Sequence, residues 1–122
     1  VGSGDPLPIT SFNGTGNELR DFIYIDDAIK AFDLSLRKKI KTNYEIFNCG
    51  TGKSINIKKI VNLILKLKKC KKKPHFNGKS EKYIPNKLMV NINKLRNEKW
   101  RPSNSINSGL IKYLKWYKKL KT

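Results

Sequence analysis

The stretch from Arg20 to Asp27 constrains the fold more than any other part of the chain, because it joins several backbone signals within eight residues. The turn Gly14-Thr15-Gly16 precedes it, and glycine permits backbone conformations that other residues resist. The apolar run Phe22 to Ile25 predicts a strand or an extended segment. Asp26 or Asp27 then predicts a helix start, because a carboxylate there can accept hydrogen bonds from free backbone amides. Turn, extended segment and helix in this order predict an α/β chain.

Apolar residues that recur at helical spacing predict three main helices. The first begins at the acidic pair and ends near Ile40, and the second is capped by Ser54. The last begins at Ser105 or Asn107. The apolar positions that fit helical spacing in the first helix are Ala28, Ile29, Ala31, Phe32, Leu34 and Leu36. The side chains predicted to face inward are Ile57, Ile60, Val61, Ile64, Leu65 and Leu67 in the second helix, and Leu110, Ile111, Leu114 and Tyr117 in the last.

The predicted strands are few and short. One extended piece lies near Leu7 to Phe12, a second at Tyr44 to Asn48 before a glycine turn, and a third at Leu88 to Ile92. A short helix is predicted at Asn93 to Asn97. With no internal repeat, we interpret residues 1–122 as a single partial α/β domain with an incomplete sheet.

The charge of the chain is unusual, since 27 basic residues against 9 acidic residues give a net charge of +18. A basic module that binds nucleic acid or an acidic partner is therefore the rival interpretation of the whole chain. Only four residues are arginine, the side chain best suited to bind the phosphates of a nucleic acid. The lysines are spread over several predicted helices. We therefore expect a solvated lysine surface and no role in nucleic-acid binding.

The remaining composition places the chain in the cytoplasm. Cys49 and Cys70 are too few for a disulfide framework and indicate free thiols in a reducing compartment. No apolar run is long enough to cross a membrane, and the N-terminus lacks a signal-peptide pattern. The start Val1-Gly2-Ser3-Gly4 has no Met, which indicates a truncated or processed chain.

Motifs for nucleotides are incomplete. Gly50-Thr51-Gly52-Lys53-Ser54 suggests a phosphate loop, but Phe47 stands where a Walker A loop needs another glycine. A strand-to-helix turn explains it as well. The third glycine of a dinucleotide fingerprint is absent after Gly16. We therefore expect no cofactor-binding residue in this chain.

Catalytic and metal-binding patterns are equally weak. Tyr83 with Lys87, and Tyr117 with Lys121, have the Tyr-x-x-x-Lys spacing that can activate a phenol, but such matches arise by chance in a lysine-rich chain. His75 is the single histidine and has no cluster of ligands near it, so we expect no metal site. No residue is assigned a catalytic role. Asp26 and Asp27 are interpreted as helix caps rather than as acid and base.

Arg20 is the strongest candidate for ligand binding. A guanidinium that emerges beside a glycine loop can bind a diphosphate with two parallel hydrogen bonds. The alternative is a surface arginine paired with Asp21 or Glu18.

Several segments in order resemble the C-terminal part of the extended short-chain dehydrogenase/reductases, the NAD-dependent epimerase/dehydratase family. They are Gly4 to Ile9 with Gly14-Thr15-Gly16, Arg20 to Asp27, Phe47-Asn48-Cys49-Gly50-Thr51-Gly52, Asn91 to Leu95, Trp100-x-Pro102, and Ile106 to Leu110. Pro85-Asn86-Lys87-Leu88 is similar to a segment of the GDP-fucose synthases within this family.

The resemblance implies a function for the whole enzyme and a smaller one for this chain. In such enzymes a Rossmann domain holds NAD or NADP, and the C-terminal lobe holds a nucleotide-diphosphate sugar. Arg20 is then the residue that binds the diphosphate, Asn48 bonds the phosphate or sugar, and Lys87 meets the nucleotide. Because the cofactor loop and the catalytic Tyr-Lys pair are missing from these 122 residues, the chain alone is expected to bind no cofactor and to be inactive. The full-length enzyme would be compatible with a homodimer.

Overall fold

A computed structural model describes residues 10–120 of the chain. Within this range it contains four helices and four strands of two residues each, so an α/β chain with a partial sheet is confirmed. In chain order the elements are β1 (Ser11–Phe12), β2 (Leu19–Arg20), α1 (Ile25–Arg37), β3 (Ile55–Asn56), α2 (Ile57–Leu67), β4 (His75–Phe76), α3 (Asn93–Asn97) and α4 (Ile106–Lys119). The predicted short helix at α3 is confirmed.

The strands form two separate pairs. β1 pairs in parallel with β4, and β2 pairs antiparallel with β3, where Leu19 lies opposite Asn56 and Arg20 opposite Ile55. A single parallel bridge also joins Leu19 to Lys87. These pairings hold the Gly14–Gly16 loop between the start of α2 and the segment after β4.

Two predicted strands were wrong as assigned. Residues 44–48 and 88–92 have no strand assignment, although the Leu88 amide donates to the Leu19 carbonyl. Residues 22–24 are not a strand either, but Tyr24 is extended, which is the other form that the sequence allowed for this run. The strand that exists is instead β2, just before the apolar run. Of the predicted piece at 7–12, residues 7–9 lie outside the described range.

Helix α1 begins earlier and ends earlier than predicted. Its N-cap is Tyr24, which supplies no side-chain cap, so the prediction that Asp26 or Asp27 caps the helix was wrong. Both aspartates lie in the first turn. The apolar positions of α1 lie on a helix as their spacing predicts, but Ile29, Phe32 and Leu36 are exposed, because the small core covers only the opposite face. Ala31, on that opposite face, is buried.

Helix α2 confirms the predicted apolar stripe but not its cap. Ile60, Val61 and Leu65 are buried along one face. The N-cap is Asn56 rather than Ser54, and its Oδ1 accepts a hydrogen bond from the backbone amide of Lys59 at 2.8 Å. Such a side-chain cap satisfies one of the free amides at the start of the helix.

The central core is small and joins α1 to the segment around α3. Its buried members are Ala31, Ile92, Leu95 and Trp100, and the half-buried side chains against it are Ile23, Leu34, Phe47 and Val90. Leu95 is fully buried, so α3 is fixed by packing despite its length of only five residues.

Helix α4 starts where the sequence predicts. Ser105 is the N-cap, and its Oγ accepts a hydrogen bond from the amide of Ser108 at 3.1 Å. Gly109 is buried against Tyr24, and an added Cβ there would lie 3.2 Å from Tyr24 Cβ. The predicted inward residues Leu110, Ile111 and Leu114 are half-buried, whereas Tyr117 is 37% exposed.

Candidate functional site

A cavity of about 260 Å³ lies beside Arg20. Its walls come from the glycine loop, the start of α2 and the segment 79–86. The backbone that carries Arg20 is fixed from both sides, because β2 pairs with β3 and Leu19 also exchanges hydrogen bonds with residues 86 and 88. The Leu19 amide donates to the carbonyl of Asn86 at 2.8 Å, and the Leu88 amide donates to the carbonyl of Leu19 at 2.9 Å.

The side chain of Arg20 lines this cavity, and the residue is half-buried. One of its nitrogens donates to the carbonyl of Leu19 at 2.8 Å. Within residues 10–120 no carboxylate lies within 4.0 Å of it. The sequence alternative, an arginine paired with Asp21 or Glu18, is therefore not observed. The remaining donors of Arg20 have no acidic partner in the described chain.

Glu18 is engaged by the glycine loop instead. Its Oε1 accepts hydrogen bonds from the Thr15 amide at 2.8 Å and the Thr15 hydroxyl at 2.9 Å. The backbone hydrogen bond from Thr15 is the main reason that the pKa of Glu18 falls to about 2. Glu18 is thus an anion at neutral pH, and it orders the loop that forms one wall of the cavity.

Asp21 fixes the turn at Gly50–Gly52. Its carboxylate accepts hydrogen bonds from the Thr51 amide at 2.8 Å, the Gly52 amide at 2.9 Å and the Thr51 hydroxyl. At Gly50 an added Cβ would lie 2.1 Å from Val90 Cγ2 and 2.9 Å from Asp21 Oδ2, so this close approach requires glycine. Sequence reasoning missed this role, since nothing local links Asp21 to a turn 30 residues away.

Asp27 joins α1 to the start of α4. Its fully buried carboxylate accepts hydrogen bonds from Ser103 Oγ at 2.6 Å, the Asn104 amide at 2.9 Å and Asn104 Nδ2 at 3.1 Å. Burial by itself raises the pKa of a carboxyl group, but these hydrogen bonds outweigh it and lower the pKa of Asp27 to about 2. Asp27 therefore holds the turn before α4 as an anion.

The other two predicted site residues lie at different places. Lys87 is exposed and bridges to Leu19 through its backbone, next to Asn86, which lines the cavity. Asn48 is exposed two residues before Gly50, and its side chain makes no hydrogen bond within the described range. The structure thus brings Lys87 close to the strand of Arg20, while Asn48 belongs to the turn held by Asp21. Lys79 lines the cavity and was not singled out from the sequence.

A larger cavity of about 640 Å³ lies between the glycine turn and the start of α4, on the side of Leu19 and Phe22. Its polar side chains are Thr51, Lys53, Ser54, Asn56, Lys59, Ser103, Asn104 and Ser105. Its lining contains no Asp, Glu, His, Cys or Tyr. These walls therefore offer no carboxyl, imidazole, thiol or phenol group as a general acid or base.

Groups with catalytic potential are not assembled elsewhere in the described chain. Tyr83 lies in a turn rather than on a helix with Lys87, and Lys121 is outside the described range. The pKa of the Cys49 thiol is raised by partial burial and by the charges of Asp21 and Asp27, which disfavours a nucleophilic thiolate. Across residues 10–120, no three side chains of the His, Cys, Asp or Glu type converge, and no helix is long and apolar enough to span a bilayer.

Comparison with known proteins shows similarity to one enzyme family. The sequence profile of the NAD dependent epimerase/dehydratase family matches residues 3–50. The UDP-glucuronate 4-epimerase of Thermodesulfobacterium geofontis is 35% identical over 114 residues, which cover 91% of this chain and 33% of that protein. GDP-L-fucose synthase 1 of Arabidopsis thaliana is 29% identical, with coverages of 87% and 32%. The chain is related to the NAD-dependent epimerase/dehydratase family.

Solved structures of this family share the fold. UDP-glucuronic acid 4-epimerase from Bacillus cereus, in complex with UDP-glucuronic acid and NAD, superposes with a TM-score of 0.79 at 27% identity, over 90% of this chain and 35% of that one. UDP-glucose 4-epimerase from Thermotoga maritima, with UDP-glucose, gives a TM-score of 0.82 at 24% identity, with coverages of 93% and 36%. The chain spans about a third of the length of its curated relatives.

Proposed function

We propose that this chain is the C-terminal, nucleotide-sugar-binding part of an NAD(P)-dependent epimerase, dehydratase or reductase. The observation that carries the proposal is the half-buried residue Arg20, which lines a cavity and whose guanidinium has no carboxylate partner in the described range. A guanidinium in this state retains donors in the planar arrangement that matches a diphosphate. Relatives of known structure were solved with UDP-glucose and UDP-glucuronic acid, which are both diphosphates.

The cavity can hold only part of such a ligand. Its volume of about 260 Å³ is below the roughly 300–1,000 Å³ of sites that enclose drug-sized ligands. We therefore assign to it the diphosphate and the adjoining ribose. Arg20 and Lys79 supply positive charge to the phosphates, and Glu81 can accept hydrogen bonds from hydroxyl groups. The rest of the ligand would contact the remainder of the full-length enzyme.

Asn48 and Lys87 have secondary roles in this proposal. The exposed amide of Asn48 is free to bond a phosphate or a sugar, and the turn beside it is kept rigid by Asp21. Lys87 lies one residue after the cavity wall formed by Asn86, within reach of the nucleotide. Neither side chain is held by a partner that would compete with a ligand within residues 10–120.

The contribution of this chain is binding and orientation. NAD(P), bound by the rest of the enzyme, would accept and return a hydride at the sugar. The groups described here would hold the diphosphate, so that the sugar is presented to that cofactor in a fixed orientation. We expect no turnover and no tight NAD binding by this chain alone.

Calorimetric titration tests the role of Arg20. UDP-glucuronate and GDP-sugars are titrated into the chain and into two variants, Arg20→Ala and the matched control Arg37→Ala. Arg37 is exposed and paired with Asp33 at the end of α1. We expect measurable, weak binding that falls at least tenfold in Arg20→Ala and less than twofold in Arg37→Ala. Equal loss in both variants would show that only general positive charge matters.

The same titrations address the nucleotide and the cofactor. Competition between UDP and GDP measures which base is preferred, since relatives include both UDP-sugar epimerases and GDP-L-fucose synthases. Tight binding of NAD to the chain alone would contradict the proposed division of labour.

A further inference from the structure

The positive charge of the chain is unevenly distributed along the sequence. Residues 1–45 contain six basic and seven acidic residues, whereas residues 46–80 contain ten lysines and no acidic residue. A general bias towards lysine would not by itself separate two neighbouring regions in this way. The net charge of +18 therefore arises entirely after residue 45, and its densest part lies in and after helix α2.

Six of these ten lysines lie close together in sequence at the end of α2, and all six are exposed. We call them the lysine cluster: Lys66, Lys68, Lys69, Lys71, Lys72 and Lys73. Within residues 10–120 no carboxylate lies within 4.0 Å of any of them. Lysines at the end of a helix balance the partial negative charge of its C-terminus, which accounts for Lys66 and Lys68. The last three lysines lie beyond that turn, so their charge has no acidic partner in the described chain.

The backbone of the lysine cluster is held at both ends. Where α2 ends, the Cys70 amide donates a hydrogen bond to the carbonyl of Leu65 at 2.9 Å, and Leu65 is buried. Directly after Pro74, strand β4 pairs with β1. The lysine side chains are therefore carried on an ordered backbone, which reduces the entropy that is lost when they bind a partner.

Lys69 occupies a backbone conformation that favours glycine. Its φ is +54°, and its amide donates to the carbonyl of Lys66 at 3.0 Å. This is the position just after a helix where glycine usually completes the C-terminal cap, because a side chain there strains the backbone. Replacing Lys69 by glycine should therefore raise the stability of the fold while it removes one charge from the cluster.

The surroundings of the cluster lack the groups that recognise nucleic-acid bases. Residues 46–80 contain no arginine, and their two aromatic residues, Phe47 and Phe76, are half-buried. Phe76 is already stacked on Phe12, with ring centroids 5.4 Å apart. Arginine forks and exposed aromatic rings are the usual means of reading or stacking bases. What remains is an array of ammonium groups, which suits a surface of closely spaced anionic headgroups.

We propose that the lysine cluster binds the anionic headgroups of a lipid bilayer. Clusters of about four to eight basic residues bind such surfaces, with a gain from each lysine that lies near the headgroups. The apolar residues within and beside the cluster, Leu67 and Pro74, are half-buried, so the contact is electrostatic. A polybasic segment without a lipid anchor binds weakly and reversibly, and salt screens the attraction. This proposal is independent of the nucleotide-sugar site.

Sedimentation with lipid vesicles tests the proposal. The chain is mixed with vesicles of phosphatidylcholine alone, or of three parts phosphatidylcholine to one part phosphatidylglycerol. We expect it to pellet with the anionic vesicles only, and to be released at about 0.5 M salt. Pelleting with both kinds of vesicle, or with neither, would overturn the proposal. Binding to a random-sequence DNA duplex that is stronger than binding to the anionic vesicles would replace the bilayer with nucleic acid as the partner.

A pair of triple variants locates the contact. Changing the last three lysines of the cluster, at positions 71–73, to glutamine should weaken vesicle binding on the order of a hundredfold, since each lysine contributes about fivefold. The control changes Lys39, Lys41 and Lys115 to glutamine, because these are exposed and lie outside the cluster. Both variants lose three charges, but the control should bind within about threefold of the unchanged chain. Equal losses would show that only net charge matters and would refute the cluster as a site.

Lys69→Gly separates binding from stability. We expect a melting temperature about 4 °C higher, since the strain at this position is relieved. Binding to the anionic vesicles should fall about fivefold in the same variant. Binding that is unchanged, or that rises with the melting temperature, would contradict a contact at the end of α2. No nucleotide enters these measurements, so their outcome does not depend on Arg20.

Discussion

The cavity beside Arg20 and the outer face of α1 differ in whether their side chains have partners within the described chain. Around the cavity, the buried and half-buried carboxylates are engaged, since Asp21 holds the glycine turn and Glu18 holds Thr15. Along α1, the apolar side chains of Ile25, Ile29, Phe32 and Leu36 are exposed. The backbone of the neighbouring segment 44–48 bonds to no other backbone group in the described chain. The carboxylates beside the cavity therefore have hydrogen-bond donors within residues 10–120, whereas this apolar face of α1 is left exposed there.

The largest expected change in stability comes from the buried core, and the exposed apolar face of α1 is its comparison. Leu95→Ala removes a fully buried side chain and should lower the free energy of unfolding by about 3 kcal/mol. Phe32→Ala removes a larger side chain that is 66% exposed and should cost less than about 0.5 kcal/mol in the isolated chain. Urea unfolding at equilibrium measures both. A comparable loss for Phe32→Ala would mean that this face is already covered.

An intermediate effect comes from Asp27 and depends on pH. Its folded pKa of about 2 lies below the ordinary 3.8, so its stabilisation is present above pH 4 and is lost as the pH falls through 2. The depression corresponds to about 2 kcal/mol. Asp27→Asn should remove that part of the pH dependence, which urea unfolding between pH 6 and pH 2.5 measures.

Asp26→Asn is the matched control for this prediction, because Asp26 is the exposed neighbour in the same helical turn. Both variants lose one negative charge, so they share any change in the repulsion among the lysines. Identical pH profiles for the two variants would contradict the role given to the bonds from Ser103 and Asn104.

The smallest effect concerns the glycine turn. Gly50→Ala places a Cβ against Val90 and the Asp21 carboxylate, and the resulting shift should cost about 1–2 kcal/mol. Gly78→Ala is the control, since no atom lies within 4 Å of its added Cβ and only the strain of its φ of +72° remains. Thermal melting compares the two. If Gly78→Ala costs more, the contact with Val90 does not determine the identity of residue 50.

The buried face of a helix could be predicted from the sequence where its apolar residues lie on a single face. Helix α2 has its predicted buried face because a single period of 3.6 residues repeats through it. Helix α1 has apolar residues on two faces, so periodicity could not tell which face meets the core of this chain. The same limit applies to segment 44–48, which has the alternation of a strand but pairs with no other backbone within residues 10–120.

The residues of the candidate site also differ in whether local sequence signals could predict their roles. Arg20 could be proposed from its neighbours in sequence, since the glycine turn before it and the apolar run after it are local signals. The anchoring roles of Asp21 and Asp27 could not, because their partners lie about 30 and 76 residues away. Hydrogen bonds between distant segments leave no periodic trace in the sequence.

By itself the sequence determined the α/β class, the positions of three main helices and the residue that lines the cavity, because periodicity and turn chemistry act within a few residues. Only the tertiary structure decided which carboxylates hold the turns, which face of α1 is buried, and that Arg20 is left without an acidic partner in the described chain. These outcomes depend on which distant groups compete for the same hydrogen bonds and the same apolar surface. That competition is settled only when the chain packs.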